Sequence, residues 1–317
     1  MFSNSLKNLG FGAIAIIVAA WSACGCGGAG VRTSAGSDDE LLVGSSNNGE
    51  ILRYSLRTGA YVGVFASGGS LISPEGMGQL TSGDIVVGDY VTDHVLQYTS
   101  DGTFVADLGA LNGTPYGLLP LSSGEFLVSV FDSVNPATGA KTGQVVKYTP
   151  AGGFQTFIQD GNLNGPDGLV IGLDGLLYVS SQRSAQVLRY DLNGNFKGIF
   201  ASGAPLGLPN AGPSGIAFGP DGNLYVAQHD TNPVATTNGM VLRYNGTTGA
   251  FIDQAVPQHE AGLSGPVGVL FTPNRRLIVT SCATNQILDY SVMGTGSGVF
   301  CSSPNLNGPI YMARVHR

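Results

Sequence analysis

Charge is scarce in this chain. Only 11% of its 317 residues are charged, and the balance is acidic, at −7. Its 14 Lys and Arg form no basic patch that could neutralise phosphates, which excludes a nucleic-acid partner. Histidine is rare: His94, His229, His259 and His316 are too few and too scattered for a zinc centre built from several histidines. Cysteine is rare as well, and Cys24-Gly25-Cys26 lacks the spacing of a zinc site. There is no phosphate loop, and no Gly-x-Ser-x-Gly elbow leads into a helix. The apolar run at residues 9–21 has 13 residues, too short to span a bilayer comfortably.

Glycine and hydrophobic residues are abundant instead. Gly accounts for 49 residues and apolar types for 43%. That combination excludes a disordered chain. It suits a β protein with many tight turns, where Gly supplies positive φ.

The first 38 residues read as non-globular. Lys7, the apolar run and the small residues up to Ala23 have the layout of a signal peptide, residues 1–23. The segment Ser22-Ala23-Cys24 resembles a bacterial lipoprotein signal, whose processing lipidates a cysteine after small residues. That resemblance makes Cys24 the lipidation site and residues 24–38 a flexible tether. Trp21 stands where such signals usually carry Leu, so ordinary secretory cleavage is the alternative. Both readings place the mature chain outside the cytoplasm, as a membrane lipoprotein or a secreted protein. Membrane contact is expected only through the lipid.

Residues 39–317 carry a repeat. In the clearest copy, Gly215-Ile216-Ala217-Phe218 is a short apolar run and Asp221-Gly222 is a hairpin turn. Leu224-Tyr225-Val226-Ala227 is a second strand. Met240-Val241-Leu242-Arg243-Tyr244 is a third, with alternating faces, and a fourth follows Gly249. A tyrosine closes the third strand of every copy: Tyr54, Tyr98, Tyr148, Tyr190, Tyr244 and Tyr290, at steps of 44, 50, 42, 54 and 46. That is the length of a four-stranded propeller blade. The tyrosines read as packing residues between blades.

A Pro-x-Gly opens five copies, at Pro74, Pro115, Pro166, Pro213 and Pro266. Pro309-Ile310-Tyr311 echoes it near the C-terminus, where only one more strand fits, at residues 310–315. Residues 40–66 carry all that a copy has after its first strand. The predicted architecture is all-β: a single six-bladed β-propeller, its last blade closed by the C-terminal strand pairing with N-terminal strands. Cys282 and Cys301 fall in one blade on strands that are not neighbours, which favours two free thiols over a bridge.

The segment Gly212-Pro213-Ser214-Gly215-Ile216-Ala217-Phe218-Gly219-Pro220-Asp221-Gly222-Asn223-Leu224-Tyr225-Val226-Ala227 resembles a repeat of the NHL and virginiamycin B lyase type. It is also similar to the senescence-marker-protein (gluconolactonase) family. The resemblance runs over about residues 40–317 and implies the fold. These groups include lactonases, lyases and binding modules, so the fold does not choose a function.

The residue before each opening glycine should point toward the central channel: Glu75, Tyr116, Asp167, Ser214, Val267 and, in the split copy, Ile310. Two loops between second and third strands are long, residues 131–143 and 229–239, and should open on that face. Tyr116, Asp132, Ser214, His229 and Asp230 are therefore the expected ligand-binding residues. The expected partner is a small molecule or protein at the channel mouth, bound by a monomer. Gluconolactonase-like enzymes hold a divalent metal on channel carboxylate and amide groups. By that resemblance Glu75 and Asp167 are metal candidates for Ca²⁺ or Mg²⁺. No opening carries the Pro-Asn-Gly of that family. His229 is the candidate for acid–base chemistry of the lyase type. Binding is the leading expectation, and a metal-dependent hydrolase (lactonase) or lyase is the alternative.

Overall fold

The computed structural model describes residues 39–135, 137–203, 205–206, 211–230, 239–290 and 298–316, with the backbone only of Ala211 and Asp230. The leader, the tether and Cys24 lie outside the described residues, as does most of loop 229–239.

These residues form six four-stranded antiparallel sheets around a ring. Blade one runs from the channel outward as Pro309–Val315, Glu40–Ser45, Glu50–Ser55 and Tyr61–Ser67. Blade two is Pro74–Gln79, Ile85–Asp89, His94–Tyr98 and Phe104–Ala110. Blade three is Pro115–Pro120, Phe126–Val130, Gln144–Thr149 and Gly153–Ile158. Blade four is Pro166–Ile171, Leu177–Ser181, Gln186–Tyr190 and Phe196–Ser202. Blade five is Ala211–Phe218, Leu224–Asp230, Met240–Tyr244 and Phe251–Val256. Blade six is Pro266–Phe271, Leu277–Ser281, Gln286–Tyr290 and Gly298–Cys301. The predicted closure is present: Glu40 pairs with Val315 and Ser45 with Pro309, so the two ends of the chain share one sheet.

Alternation along the strands explains the core. Residues two apart share a face, so each middle strand is apolar on both sides, one for each neighbouring blade. Six apolar clusters result, one at each seam between blades. Tyr178 and Tyr244 meet between blades four and five, for example, and Tyr225 and Tyr290 between five and six. The period-marking tyrosines do pack at these seams. Several also anchor a loop through the phenol, as Tyr290 does by donating to the Glu260 carbonyl at 2.8 Å.

The Pro-x-Gly opening has a geometric purpose. In blade two Pro74 pairs with Asp89 and Met77 with Val87, so Glu75 and Gly76 together oppose the single residue Gly88. This bulge recurs in all six inner strands. A bulge re-aims a side chain, and here it turns the x residue toward the channel. The glycine is required by space. A Cβ on Gly168 would sit 2.6 Å from the Ser214 carbonyl oxygen, and on Gly268 2.7 Å from that of Ile310. At five of the six seams the opening carbonyl thus packs on the preceding blade's glycine. In blades three, four and six a hydroxyl stitches the same seam. Ser180 Oγ, for instance, accepts from the Gly168 amide at 2.7 Å and donates to the Ser214 carbonyl at 2.7 Å.

Candidate functional site: the channel mouth

The six x residues form a ring at one end of the channel, polar over blades two to five (Glu75, Tyr116, Asp167, Ser214) and apolar over blades six and one (Val267, Ile310). Glu75, Asp167, Ser214 and Val267 are buried, at 5%, 1%, 1% and 5% exposure.

A second ring stands above the first. Its members follow the second strand in five blades, Ser46, Tyr90, Phe131, Gln182 and Cys282, and in blade five the equivalent residue, His229, lies within a longer second strand. The amides of Ser46, Tyr90, Phe131, Gln182 and Cys282 make the same backbone bond to the segment just before the inner strand, and Gly212 pairs with His229 at the equivalent place in blade five. These positions are as regular as the Pro-x-Gly openings. The sequence signal is the residue directly after each second strand, which was read only where it belonged to a long loop. Cys282, thought to lie on a second strand, sits instead in the short helical turn Cys282–Thr284 that follows it. It and Cys301 are free thiols. Burial, with the nearby Glu75 charge, pushes the Cys282 thiol up to about 12, so it is not a poised nucleophile.

One departure from the repeat shapes the site. The sixth opening reads Pro309-Ile310-Tyr311, with Tyr311 where five blades have glycine. Blade one faces blade four across the ring, and Tyr311 spans that gap to donate its phenol hydrogen to Asp167 Oδ1. It is a crossbar. Below it, a cavity of about 140 Å³ is lined by Gly76, Gly117, Gly168 and Gly215 together with apolar side chains.

The two mouth carboxyls differ in their company. Asp167 accepts from Tyr311, from Ser214 and, at 3.5 Å, from Gln182 Nε2. Burial raises its pKa to about 6, against the lowering by the Tyr311 and Ser214 hydrogen bonds. Glu75 Oε2 is fully shielded and has no hydrogen-bond partner among the described residues. Burial first, then the charges of Asp167 and Asp89, hold the Glu75 carboxyl well above the usual range. The Glu75 charge in turn acts on Tyr116 of blade three, Tyr311 of blade one and Cys282 of blade six. A group within reach of four other blades lies near the ring axis.

The remaining candidates divide. Tyr116 lies between Tyr90 (6.0 Å between ring centres) and Phe131 (4.7 Å), forming an aromatic wall beside Glu75. Asp132 stands near Tyr116, with Oδ1 taken by the Thr114 amide at 3.1 Å. His229 is half-buried over Gly265, next to Cys282. Asp230 ends the second strand of blade five. Asp89 is fully buried and wholly structural: its two oxygens accept from the amides of Ile72, Ser73, Val91 and Thr92 and from the Thr92 hydroxyl, at 2.7–3.1 Å.

A resident calcium or magnesium ion does not fit this donor set. Calcium takes six to eight oxygens. No group of three His, Cys, Asp or Glu side chains that could hold a metal occurs among the described residues. Both Asp167 oxygens already face hydrogen-bond donors, which compete for the lone pairs a metal would use.

No known family profile matches the chain, and none of the curated proteins does. Solved structures do resemble it. A chain of the nidogen–laminin complex superposes with a TM-score of 0.66 at 14% identity, covering 87% of this chain and 98% of that one. Virginiamycin B lyase from Staphylococcus aureus gives 0.55 at 17% identity, over 75% of this chain and 73% of that one. A proposed gluconolactonase gives 0.52 at 15%, over 77% and 86%. What they share is the β-propeller fold. At such identities the likeness concerns architecture and leaves activity open.

Proposed function

We propose that this protein is an exported propeller that binds a small ligand at the channel mouth, between Glu75, Tyr116, Asp167 and Ser214. One observation carries the reading. Glu75 is 5% exposed and its Oε2 is without a donor among the described residues. An unmade hydrogen bond on a buried oxygen costs about 1–3 kcal/mol. A protein keeps such a group where something else completes it. Tyr311 crosses the channel to Asp167 beside these residues.

A thermal-shift screen of a small-molecule library against the mature chain tests the reading. A ligand should raise the melting temperature of the wild type and lose that effect with Glu75→Gln. If no compound shifts the wild type, or if hits act equally on the variant, the mouth is not the site.

Export belongs to the same proposal. The ring begins at Asp39, at the end of the first blade away from the mouth. Intact-mass analysis of membrane-extracted protein should find a diacylglyceryl-modified N-terminal Cys24. A soluble form cut after Ser22 or Ala23 would favour plain secretion.

A hydrolase or lyase is the second reading, favoured by two buried carboxyls at the mouth, Asp167 raised to about 6 and Glu75 raised well above the usual range by burial. A pair of neighbouring carboxyls is a usual kit for acid–base chemistry. Asp167 would take a proton and Glu75 would supply one, without a metal. Turnover on a lactone panel in the presence of EDTA, abolished by Asp167→Asn, would establish it.

A further inference from the structure

We infer that the ligand of the mouth is an organic cation, a small molecule bearing a protonated amine next to an apolar or aromatic group. This rests on the mouth being a binding site and names the class of what it takes.

The first argument is charge. Glu75 and Asp167 lie in one buried ring, and none of the ion pairs among the described residues includes either. The groups that approach Asp167 are neutral: Tyr311, Ser214 and Gln182. A neutral donor on Glu75 Oε2 would fill the missing hydrogen bond and leave two acids facing each other uncompensated. An ammonium group does both at once, since it carries three N–H donors and a positive charge.

The second argument is shape. The acids share the mouth with the aromatic wall of Tyr90, Tyr116 and Phe131. A cation with an apolar substituent gains from aromatic faces, and a hydrated metal ion, needing oxygens on every side, does not. The cation already at this wall points elsewhere. Arg183 lies 4.2 Å over the Phe131 ring, and its Nη1 donates to the carbonyls of Lys141 and Phe131. It marks the wall as receptive to positive charge and leaves the two carboxyls without a cationic partner among the described residues. Val267 and Ile310, across the ring, offer apolar surface for the rest of the ligand.

The test compares matched probes on the full mature chain by calorimetry and thermal shift: benzylammonium against benzyl alcohol, n-butylammonium against 1-butanol, and calcium chloride alone. The ammonium member of each pair should bind at least about tenfold tighter than its alcohol, the ratio expected when a buried charge meets its counter-charge. Benzylammonium should exceed n-butylammonium. Glu75→Gln should remove the preference for charge, and Tyr116→Leu should remove the preference for the ring while keeping that for charge. The second variant keeps the test decisive if the first folds poorly. Equal binding of amine and alcohol would overturn the cation and keep the mouth as a site. Saturable calcium binding that excludes the amines would overturn it in favour of a metal. If neither these probes nor any library compound binds, the underlying reading falls with it.

Discussion

The two ends of the ring treat acidic side chains in opposite ways. At the lower end Asp39 accepts from Arg314 and, at 2.6 Å, from His316 Nδ1, and Gln79 clamps the His316 backbone on both sides, at 2.8 and 3.0 Å. Every one of these contacts joins the beginning of the folded chain, or blade two, to its last residues. At the mouth, Glu75 is more deeply buried and lacks a donor for Oε2 among the described residues. One end is satisfied because it holds the ring shut. The other is left incomplete in a place where the same blade shows that completion is possible, since Asp89, at the end of the neighbouring strand, has five donors. Burial alone therefore does not separate a structural acid from a functional one, and the count of donors does.

The largest effect should come from breaking the lower end. Deleting residues 310–317 removes the inner strand of blade one, with buried Met312, Ala313 and Val315, and exposes two seams. The loss should match the whole stability of the domain, about 5–15 kcal/mol. Circular-dichroism melting of the truncated chain should show no cooperative transition. An unchanged melt would mean that the ring does not depend on this closure.

At the mouth, acidity should matter in the reverse sense from the usual surface carboxylate. The folded-state pKa of Asp167 is raised, from 3.8 to about 6. The unfolded chain therefore releases this proton first. The stability Asp167 contributes is complete below about pH 4 and is lost as pH rises through 6, a change of roughly 3 kcal/mol. Denaturant titrations across that window should show the decline. Asp167→Asn should flatten it, and a wild-type profile that is already flat would refute the burial argument.

Asp89→Asn should cost about 2 kcal/mol, because an amide nitrogen would then face backbone N–H groups that need an acceptor. Gly168→Ala should cost about 1–3 kcal/mol by forcing blade five away from blade four. Equilibrium unfolding at fixed pH measures both. An Asp89→Asn protein as stable as wild type would erase the distinction between this acid and Glu75.

The blades were legible because their signal is local and repeated six times: a tyrosine, a hairpin turn and a Pro-x-Gly in each period. Closure was legible because residues 40–66 and 310–315 are complementary fragments of one period. The inner ring followed from alignment. Three features did not. Tyr311 breaks the Pro-x-Gly pattern in plain view, and its meaning depends on Asp167 standing 144 positions away across the channel. The structural role of Asp89 was hidden because its five donors, four loop amides and the Thr92 hydroxyl, are not aimed by any sequence pattern. Cys282 and Gln182 were hidden because their loops are short, and function was sought in long ones.

The sharpest comparison is the smallest in energy, Glu75→Gln set beside Asp89→Asn. Both replace a buried carboxyl with its amide. Asp89 loses acceptor capacity that five donors use. Glu75 loses a carboxyl oxygen that no donor among the described residues uses. Because its folded pKa lies well above 4.5, raised chiefly by burial, the wild type must hold a proton at a pH where the unfolded chain has released it. Glu75→Gln removes that cost, so the variant should be more stable than wild type near neutral pH, by on the order of 1 kcal/mol, with an advantage that shrinks as pH falls toward 4.5. A loss of stability would show that Glu75 is held by the fold after all. A gain in stability together with the loss of ligand response is the signature of a group kept for binding at the expense of the fold.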